Sequence, residues 1–293
     1  MNSIKLLLIV LILFVFSMNS RAQSGIDKLK FKESKGSLLN SNLSTQNYIS
    51  ETKAKKEKDF FFSTNLYLWA LSISGTTALP VNRPPLTITQ TPELDISLDF
   101  SEALKYLKFG FMLAGKFVYK NAGLLYDVYY GKLEFNGTVP VASSYISGTV
   151  VANQFTGDFA LLYRFPMKNK KVSLSGYAGT RIISMDNTID LFHEDNTILS
   201  VNKAKLWVDP IIGADSKIDL SKHWMMYIKG DLGGFGVSSK FTGSLVWTVG
   251  YKFTENWNSN IGVKYLYVDY NKDNFLWKVS QYGMLFSFGY MFN

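Results

Sequence analysis

The sequence contains no cysteine and only two histidines among its 293 residues. Without cysteine there is no disulfide framework, no thiolate zinc site, no cysteine nucleophile and no attachment point for the lipid of a lipoprotein. Two histidines leave little scope for metal binding or acid–base chemistry near neutral pH. We therefore expect no cofactor and no metal site.

Apolar runs long enough to form a membrane-spanning helix are also missing beyond the first residues. Residues 1–22 begin with Lys5, continue as LLLIVLILFVF and end in Ser20-Arg21-Ala22, which is the layout of a cleavable signal peptide. We expect cleavage before Gln23. An uncleaved anchor is the alternative, but the run is shorter than the roughly 20 residues that a spanning helix needs. Any residence in a membrane must therefore be through strands.

Charge is sparse and unevenly placed, at 18% charged residues with a formal net charge of +8. Residues 23–58 hold eight lysines against four acids and are rich in Ser and Asn. So few apolar residues cannot offset the entropy lost on ordering, and we expect a flexible basic periplasmic linker. A tether to periplasmic partners or peptidoglycan is the alternative. Because the excess charge lies largely in this tail, we expect no nucleic-acid partner.

The end of the chain shows a pattern that the rest of it repeats. In YGMLFSFGYMF, residues 282–292, every second position is large and apolar, while the positions between are small or mixed. A period of two predicts a β-strand. Such an aromatic face either packs on a second sheet or faces lipid in a transmembrane barrel. The face consists of Tyr282, Met284, Phe286, Phe288, Tyr290 and Phe292.

Stretches with the same alternation continue from Phe109, and the connections between them alternate in length. Short turns (KNAG, PMKNKK, LSKH, TEN) alternate with mostly longer polar stretches, which we predict as loops over 136–147, 186–202 and 271–274. Short turns on one side and long loops on the other are typical of transmembrane barrels. Nine strands from Phe109 and one over Phe60–Ser74 make ten. An even number of strands places the N- and C-terminal ends of the barrel segment on the same side of the membrane.

Residues 75–108 break the pattern. Three prolines indicate a loop, LDISLDF over 94–100 alternates like a short strand, and SEALKYL over 101–107 indicates one or two helical turns with Ser101 as the N-cap. A loop cap, an inserted plug and an extra strand pair all remain open. The facing of the first strand is also ambiguous, because aromatic and leucine side chains occupy both of its sides.

The sequence thus predicts an all-β fold, a transmembrane antiparallel up-and-down β-barrel over residues 59–293. We expect about ten strands, with eight or twelve as alternatives. A short helix or loop insert is expected near 94–107.

The face opposite the apolar one carries charges of both signs. A pore selective for cations or for anions would carry mainly the opposite charge along its lining. Inward charges of both signs can instead form ion pairs that fill the lumen. A narrow water path stays open as an alternative, because ten strands enclose more space than eight. The predicted lumen-facing polar residues are Lys116, Asp127, Asp158, Arg164, Arg181, Asp209, Asp215, Lys217, Lys229, Asp231, Lys252 and Lys264.

Catalytic residues are hard to find in this sequence. His193 lies in FHEDN beside two acids, where a histidine–carboxylate pair or weak metal site is conceivable, but a solvated loop histidine explains it better. His223 precedes Trp224 in a short turn, where placement at the membrane interface explains it. The glycine-rich run over 231–236 lacks the following helix that would hold phosphate, so we expect a tight hairpin or strand bend near the outer rim. We predict no enzymatic function.

The segments LDISLDFSEALKYLKFGF, GLLYDVYY, WVDPIIGADSKIDLSKHW, KGDLGGFG, VGYKF and IGVKYLYVDY precede the aromatic closing strand. Together they resemble a family of small Gram-negative outer-membrane β-barrel proteins of mostly undefined role. The resemblance covers about residues 60–292. It implies the fold and localisation in the cell outer membrane, and it implies no active-site residue. The closing strand, with Phe292 followed by Asn293, also resembles the signature that the barrel-assembly machinery reads.

Two main hypotheses follow. The first is a monomeric outer-membrane barrel with an envelope-structural role or a narrow channel for small solutes. Its partners would be outer-membrane lipids, lipopolysaccharide and, through the C-terminal strand, the barrel-assembly machinery. The second is a soluble periplasmic β-protein that binds a lipophilic ligand, and a lipid-modifying outer-membrane enzyme is a third.

Overall fold

The computed structural model describes residues 60–78, 82–83, 86–87, 93–141, 144–193, 196–273 and 275–292. The predicted signal peptide and basic linker lie outside these ranges. Within them, no helix has the length and apolar character needed to cross a membrane.

Strands dominate the described part of the chain because apolar and small or polar side chains alternate along it for long stretches. The elements are β1 (Phe60–Ala78), β2 (Asn82–Arg83), β3 (Leu86–Thr87), β4 (Glu93–Leu98), α1 (Phe100–Tyr106), β5 (Leu107–Tyr119), β6 (Ala122–Val141), β7 (Ser144–Phe165), β8 (Val172–His193), β9 (Asn196–Asp219), β10 (Trp224–Gly233), β11 (Phe241–Lys252), β12 (Trp257–Lys272) and β13 (Phe275–Phe292).

Ten of these strands, β1 and β5 to β13, form a closed barrel. Each pairs antiparallel with its neighbours in sequence, and β13 returns to pair with β1 from Phe62↔Phe292 to Ala78↔Leu276. This return pairing joins the last strand to the first, so the junction between them presents no unpaired strand edge to lipid. The predicted strand count and antiparallel topology are confirmed.

The two faces of the wall differ as the alternation predicts. In β13, Phe286 and Phe288 are about half exposed, whereas Leu285 between them is buried. The same alternation settles the facing of β1, which the sequence left ambiguous. Leu68 is 71% exposed on the outside, while Tyr67 and Trp69 are buried inside the barrel.

The prediction of long polar loops over 136–147 and 186–202 is wrong. β6 and β7 stay paired to Val141↔Ser144, and β8 and β9 stay paired to His193↔Asn196. Beyond the membrane both faces of a hairpin can be polar, so the loss of apolar alternation there does not end the strand. These hairpins extend the wall beyond its apolar band.

The insert between β1 and β5 combines two of the expected forms, an extra strand and a helix. β4 pairs with the C-terminal part of β1, over Ile73–Ala78, and α1 follows β4 in sequence. The helix begins earlier than predicted, because Asp99 and not Ser101 is its N-cap. An Asp99 carboxylate oxygen accepts hydrogen bonds from the Glu102 N–H at 2.9 Å and the Ser101 hydroxyl at 2.8 Å. Aspartate at this place satisfies an N–H at the helix start.

The glycine-rich run forms the bend expected between β10 and β11. Gly234 and Gly236 have φ of +82° and +78°, a region that residues with a Cβ rarely adopt. The loop is fixed to the neighbouring wall by Asp209, which accepts hydrogen bonds from the Ser239 backbone N–H at 2.7 Å and hydroxyl at 2.5 Å.

Candidate functional site in the barrel lumen

The lumen is the only interior that a single closed sheet offers, and its side chains form three layers. At the end where β1 begins and β13 ends lies an open cavity of about 310 Å³, which we call the vestibule. Next comes a set of buried charges, the ionic belt: Asp127, Asp158, Arg181, Lys229, Asp231 and Lys264. Toward the long hairpins lies the apolar layer, which includes Ile183, Met185, Trp207, Tyr270 and Val279.

Arg181 holds one half of the ionic belt together. Its guanidinium donates two hydrogen bonds to Asp158, at 2.7 and 2.9 Å, and one to Asp231 at 2.9 Å. A fourth goes to the Thr242 hydroxyl at 2.8 Å. Only arginine has donors in a fork that can serve two carboxylates in fixed directions. Strands β7, β8, β10 and β11 are thereby joined across the lumen.

Asp127 holds the other half. Its carboxylate accepts from Lys229 at 3.0 Å, from Lys264 at 2.9 Å and from the Tyr67 hydroxyl at 2.7 Å. Lys229 also lies 3.6 Å from Asp158, which links the two halves. Strands β1, β6, β10 and β12 are joined through this second group.

The belt is electrically balanced, with three acids facing three bases. Each of the six residues is at most 6% exposed. A buried charge is tolerated when it is paired and hydrogen-bonded, and every charge of the belt makes at least one hydrogen bond to an opposite charge. The hydroxyl groups of Tyr177 and Ser244 also donate hydrogen bonds to the Asp231 carboxylate, at 3.1 and 2.5 Å. The arrangement supplies neither an excess charge to select an ion nor an open coordination position.

A ring of neutral polar groups separates the belt from the apolar layer. Tyr129 donates to Gln281 at 2.6 Å, and Gln281 in turn donates to Gln154 at 2.8 Å. Beyond them, Met185 and Val279 are 0% exposed and Ile183 is 1% exposed. A side chain that lined a water path would be exposed to water. The lumen is therefore filled at this level.

The vestibule, in contrast, is basic and open. Arg164, Lys170, Lys171 and Lys217 lie along it, and Asp127, Lys229 and Lys264 form its closed end. Several of its charges are paired on the wall. Lys116 contacts Asp215, and Lys252 donates to Asp219 at 2.8 Å, with Lys217 3.6 Å from the same carboxylate.

The structure thus brings together some of the predicted lumen-facing residues and separates others. Six form the belt, and four form contacts along the vestibule wall: Lys116, Asp215, Lys217 and Lys252. Arg164 lies at the vestibule, where it donates to the Lys120 carbonyl at 3.0 Å. Asp209 lies apart, bound to Ser239 and to the Trp207 indole at 3.1 Å.

Sequence reasoning missed two parts of the lumen. Tyr67 and Tyr177 complete the belt but were not among the predicted residues, because tyrosine fits either face of a barrel wall. The apolar layer was missed because we assumed that inward positions are polar. The run IISM over 182–185 carried a signal, since apolar residues on both faces of a strand indicate that both are buried.

The two histidines lie far from the belt. His193 ends β8 opposite Asn196, and its neighbours in FHEDN, Glu194 and Asp195, lie outside the described residues. His223 lies in the turn before β10, where Nδ1 is 3.1 Å from the Lys252 carbonyl oxygen. Among the described residues no three His, Asp or Glu side chains group as a metal site would require.

Outside the membrane-spanning part, one ion pair joins two hairpins. Lys205 donates to Asp273 at 2.6 Å, and this hydrogen bond lowers the pKa of the Asp273 carboxyl. The pair connects the outer part of β9 to the turn between β12 and β13.

Comparison with known proteins supports the fold. No family model and no curated protein matches the chain. The structure is similar to the outer membrane protease OmpT from Escherichia coli, with a TM-score of 0.50 at 8% identity over 80% of this chain and 97% of that chain. Weaker similarities are to the translocator domain of autotransporter NalP from Neisseria meningitidis (TM-score 0.37, 11% identity, 79% and 86%) and to Ail of Yersinia pestis (0.32, 12%, 80% and 99%). At 8% identity the similarity to OmpT shows the fold alone, a barrel of the outer-membrane type.

Proposed function

We propose that the chain is an integral protein of the cell outer membrane with an envelope-structural role, and that its lumen is closed to ions at rest. The vestibule then faces the periplasm and the long hairpins face outward. No catalytic role enters the proposal. The expected partners are outer-membrane lipids and lipopolysaccharide, with the barrel-assembly machinery reading the C-terminal strand of a monomer.

The observation that carries this proposal is the sequence of filled layers across the lumen. An ion that entered the vestibule would meet a balanced belt whose charges already bind one another. It would then meet side chains that are almost wholly inaccessible to water. Desolvating an ion in such a layer is prohibitively costly, so an open water path is the minimum requirement for conduction.

The exterior favours membrane residence over the soluble alternative. Phe, Leu, Tyr or Trp side chains that are roughly half exposed occur on the outer face of every barrel strand except β8. A water-soluble protein rarely exposes a contiguous apolar patch larger than a few hundred Å². In a bilayer the same band meets hydrocarbon, where it is favourable.

Planar-bilayer recording tests the closed lumen. The purified full chain, with insertion verified by heat-modifiable migration on a detergent gel, is expected to give no steady conductance at neutral pH. The matched variant is M185A/W207A, which thins the apolar layer without adding charge and is expected to conduct more than the wild type. A stable open-channel current from the wild type, equal to that of the variant, would contradict the proposal.

A further inference from the structure

The barrel wall is incomplete at one place, between β1 and β5. The two strands pair only from Phe60↔Tyr119 to Leu66↔Leu113. Beyond Leu66, β1 continues without pairing to β5, and its pairing with β4 begins at Ile73. Residues 67–72 of β1 and 107–112 of β5 therefore have no strand pairing with each other. We call this gap, with α1 beside it, the β1–β5 seam.

Two backbone N–H groups at the seam bind side chains instead of a strand partner. The Trp69 N–H lies 3.2 Å from the Met112 sulfur, a weak acceptor, and the Phe100 N–H donates to the Ser72 hydroxyl at 3.1 Å. None of the seven residues of α1 is buried. The helix covers the gap, and its Ala103 and Tyr106 pack against the cluster that contains Phe135 of β6.

An apolar cavity of about 110 Å³ lies behind the helix and extends from the outer surface into the lumen. On the bilayer side its lining includes Phe100, Leu104 and Leu107, each more than 40% exposed. On the inner side it reaches Trp69 and Tyr129, beside the ionic belt. The seam therefore connects the hydrocarbon outside with the interior.

Trp69, which lines the inner part of the cavity, carries a hydrogen-bond donor without a partner among the described residues. The Trp69 side chain is 4% exposed, and its indole N–H has no hydrogen-bond partner among the described residues. A buried donor left without a partner costs about 1–3 kcal/mol, so an acceptor that reaches it is bound favourably. The Lys264 ammonium lies 5.2 Å from the centre of the same ring, which adds positive potential at this point.

These features define one class of occupant. A largely apolar lining with an unpartnered donor on a residue of its inner part suits a long chain that ends in a carbonyl or carboxyl group. Because a cavity of about 150 Å³ takes a molecule the size of benzene, this one accommodates part of a single chain and not two chains side by side. The rest of a long chain must extend through the seam toward the bilayer.

We propose that the β1–β5 seam is a lateral binding site for a fatty acid taken from the surrounding bilayer, with its carboxyl group at the Trp69 indole N–H. This goes beyond the envelope-structural role and does not depend on it. Failure of the site would leave the closed lumen untouched, because the two are measured separately.

Gly131 offers a position at which an added side chain would block the site. It lies on the inner face of β6 and lines the cavity, and nothing lies within 4 Å of a Cβ built there. In Gly131→Leu the new side chain occupies the cavity. The matched control is Gly230→Leu on the outer face of β10, where the nearest atoms to the Cβ are 3.7 and 3.8 Å away.

The test uses full-length protein in phospholipid vesicles and a fatty acid that carries a photoreactive diazirine in its chain. After illumination, labelled residues are located by mass spectrometry. In the wild type and in Gly230→Leu, label is expected on the inward-facing Met112, Leu133 and Ala152. In Gly131→Leu, inward label is expected to fall about tenfold, in proportion to the blocked occupancy. Heat-modifiable migration verifies that each variant is folded.

Trp69→Phe tests the recognition of the carboxyl group. It keeps an aromatic ring but removes the open donor, and half-saturation by the fatty acid is expected to need about three- to tenfold more ligand. Unchanged half-saturation would overturn the role of the indole. Label found only on outward-facing residues of the wild type, or inward label that persists in Gly131→Leu, would overturn the site.

Discussion

Replacing Arg181 by methionine should remove the centre of the ionic belt while nearly keeping its volume. The substitution deletes four hydrogen bonds and leaves Asp158 and Asp231 facing each other in the filled lumen. Asp158 keeps only Lys229 at 3.6 Å. Breaking a buried ionic network by removing one partner costs about 3–5 kcal/mol, because a charge stays buried without compensation. We expect Arg181→Met to lower the free energy of unfolding by this amount.

The assay is urea unfolding of the barrel in lipid vesicles, followed by tryptophan fluorescence. Arg164→Met is the matched control, since this arginine lies on the neighbouring strand β7 but bonds only to the Lys120 carbonyl at the vestibule. Substitutions away from buried networks change stability by about 0.5 kcal/mol. An Arg181→Met protein as stable as Arg164→Met would refute the view that the belt braces the lumen.

Three further outcomes are expected. Gly262→Ala should lower the free energy of unfolding by about 1–3 kcal/mol or more, because the added Cβ would lie 1.9 Å from the Trp247 carbonyl oxygen. Gly131→Ala, where nothing lies within 4 Å of the added Cβ, should leave it unchanged. The urea midpoints of the two variants test this difference. Met185→Ala should cost about 2–5 kcal/mol by leaving a cavity in the apolar layer, measured in the same way. The pKa of Asp273 is lowered in the folded protein, so its contact with Lys205 should persist above the unfolded carboxyl pKa of about 3.9 and be lost as the pH falls through the lower folded pKa. Carbon NMR of the aspartate carboxyl groups measures this titration. An Asp273 titration that is unchanged by Lys205→Met would contradict the prediction.

The architecture of the barrel could be predicted from the sequence because each strand obeys one local rule. Residues such as Phe286 and Phe288 alternate with smaller ones since one face meets lipid, and this rule needs no knowledge of the neighbouring strands. It failed where both faces meet water. There the hairpin ending at His193 and Asn196 looked like a loop, although backbone pairing continues.

The contents of the lumen could be predicted only in part. Charges such as Asp158 and Arg181 were placed inward by alternation, but which acid binds which base depends on how strands distant in sequence meet. The pairing of Asp127 with Lys264 spans 137 residues, and no local pattern encodes it. The β1–β5 seam was unpredictable for the same reason, because it depends on where β1 stops pairing with β5 and where it begins to pair with β4.

Membrane residence of the outer face is the claim on which the account depends most, and quenching of single-tryptophan variants by brominated phospholipids tests it directly. Trp247 lies on the outer face and is 44% exposed, whereas Trp207 is buried in the apolar layer. We expect bromine on the acyl chains to quench a protein with Trp247 alone strongly and one with Trp207 alone weakly. Equal, weak quenching of both, with Trp247 open to acrylamide from the aqueous phase, would contradict the account.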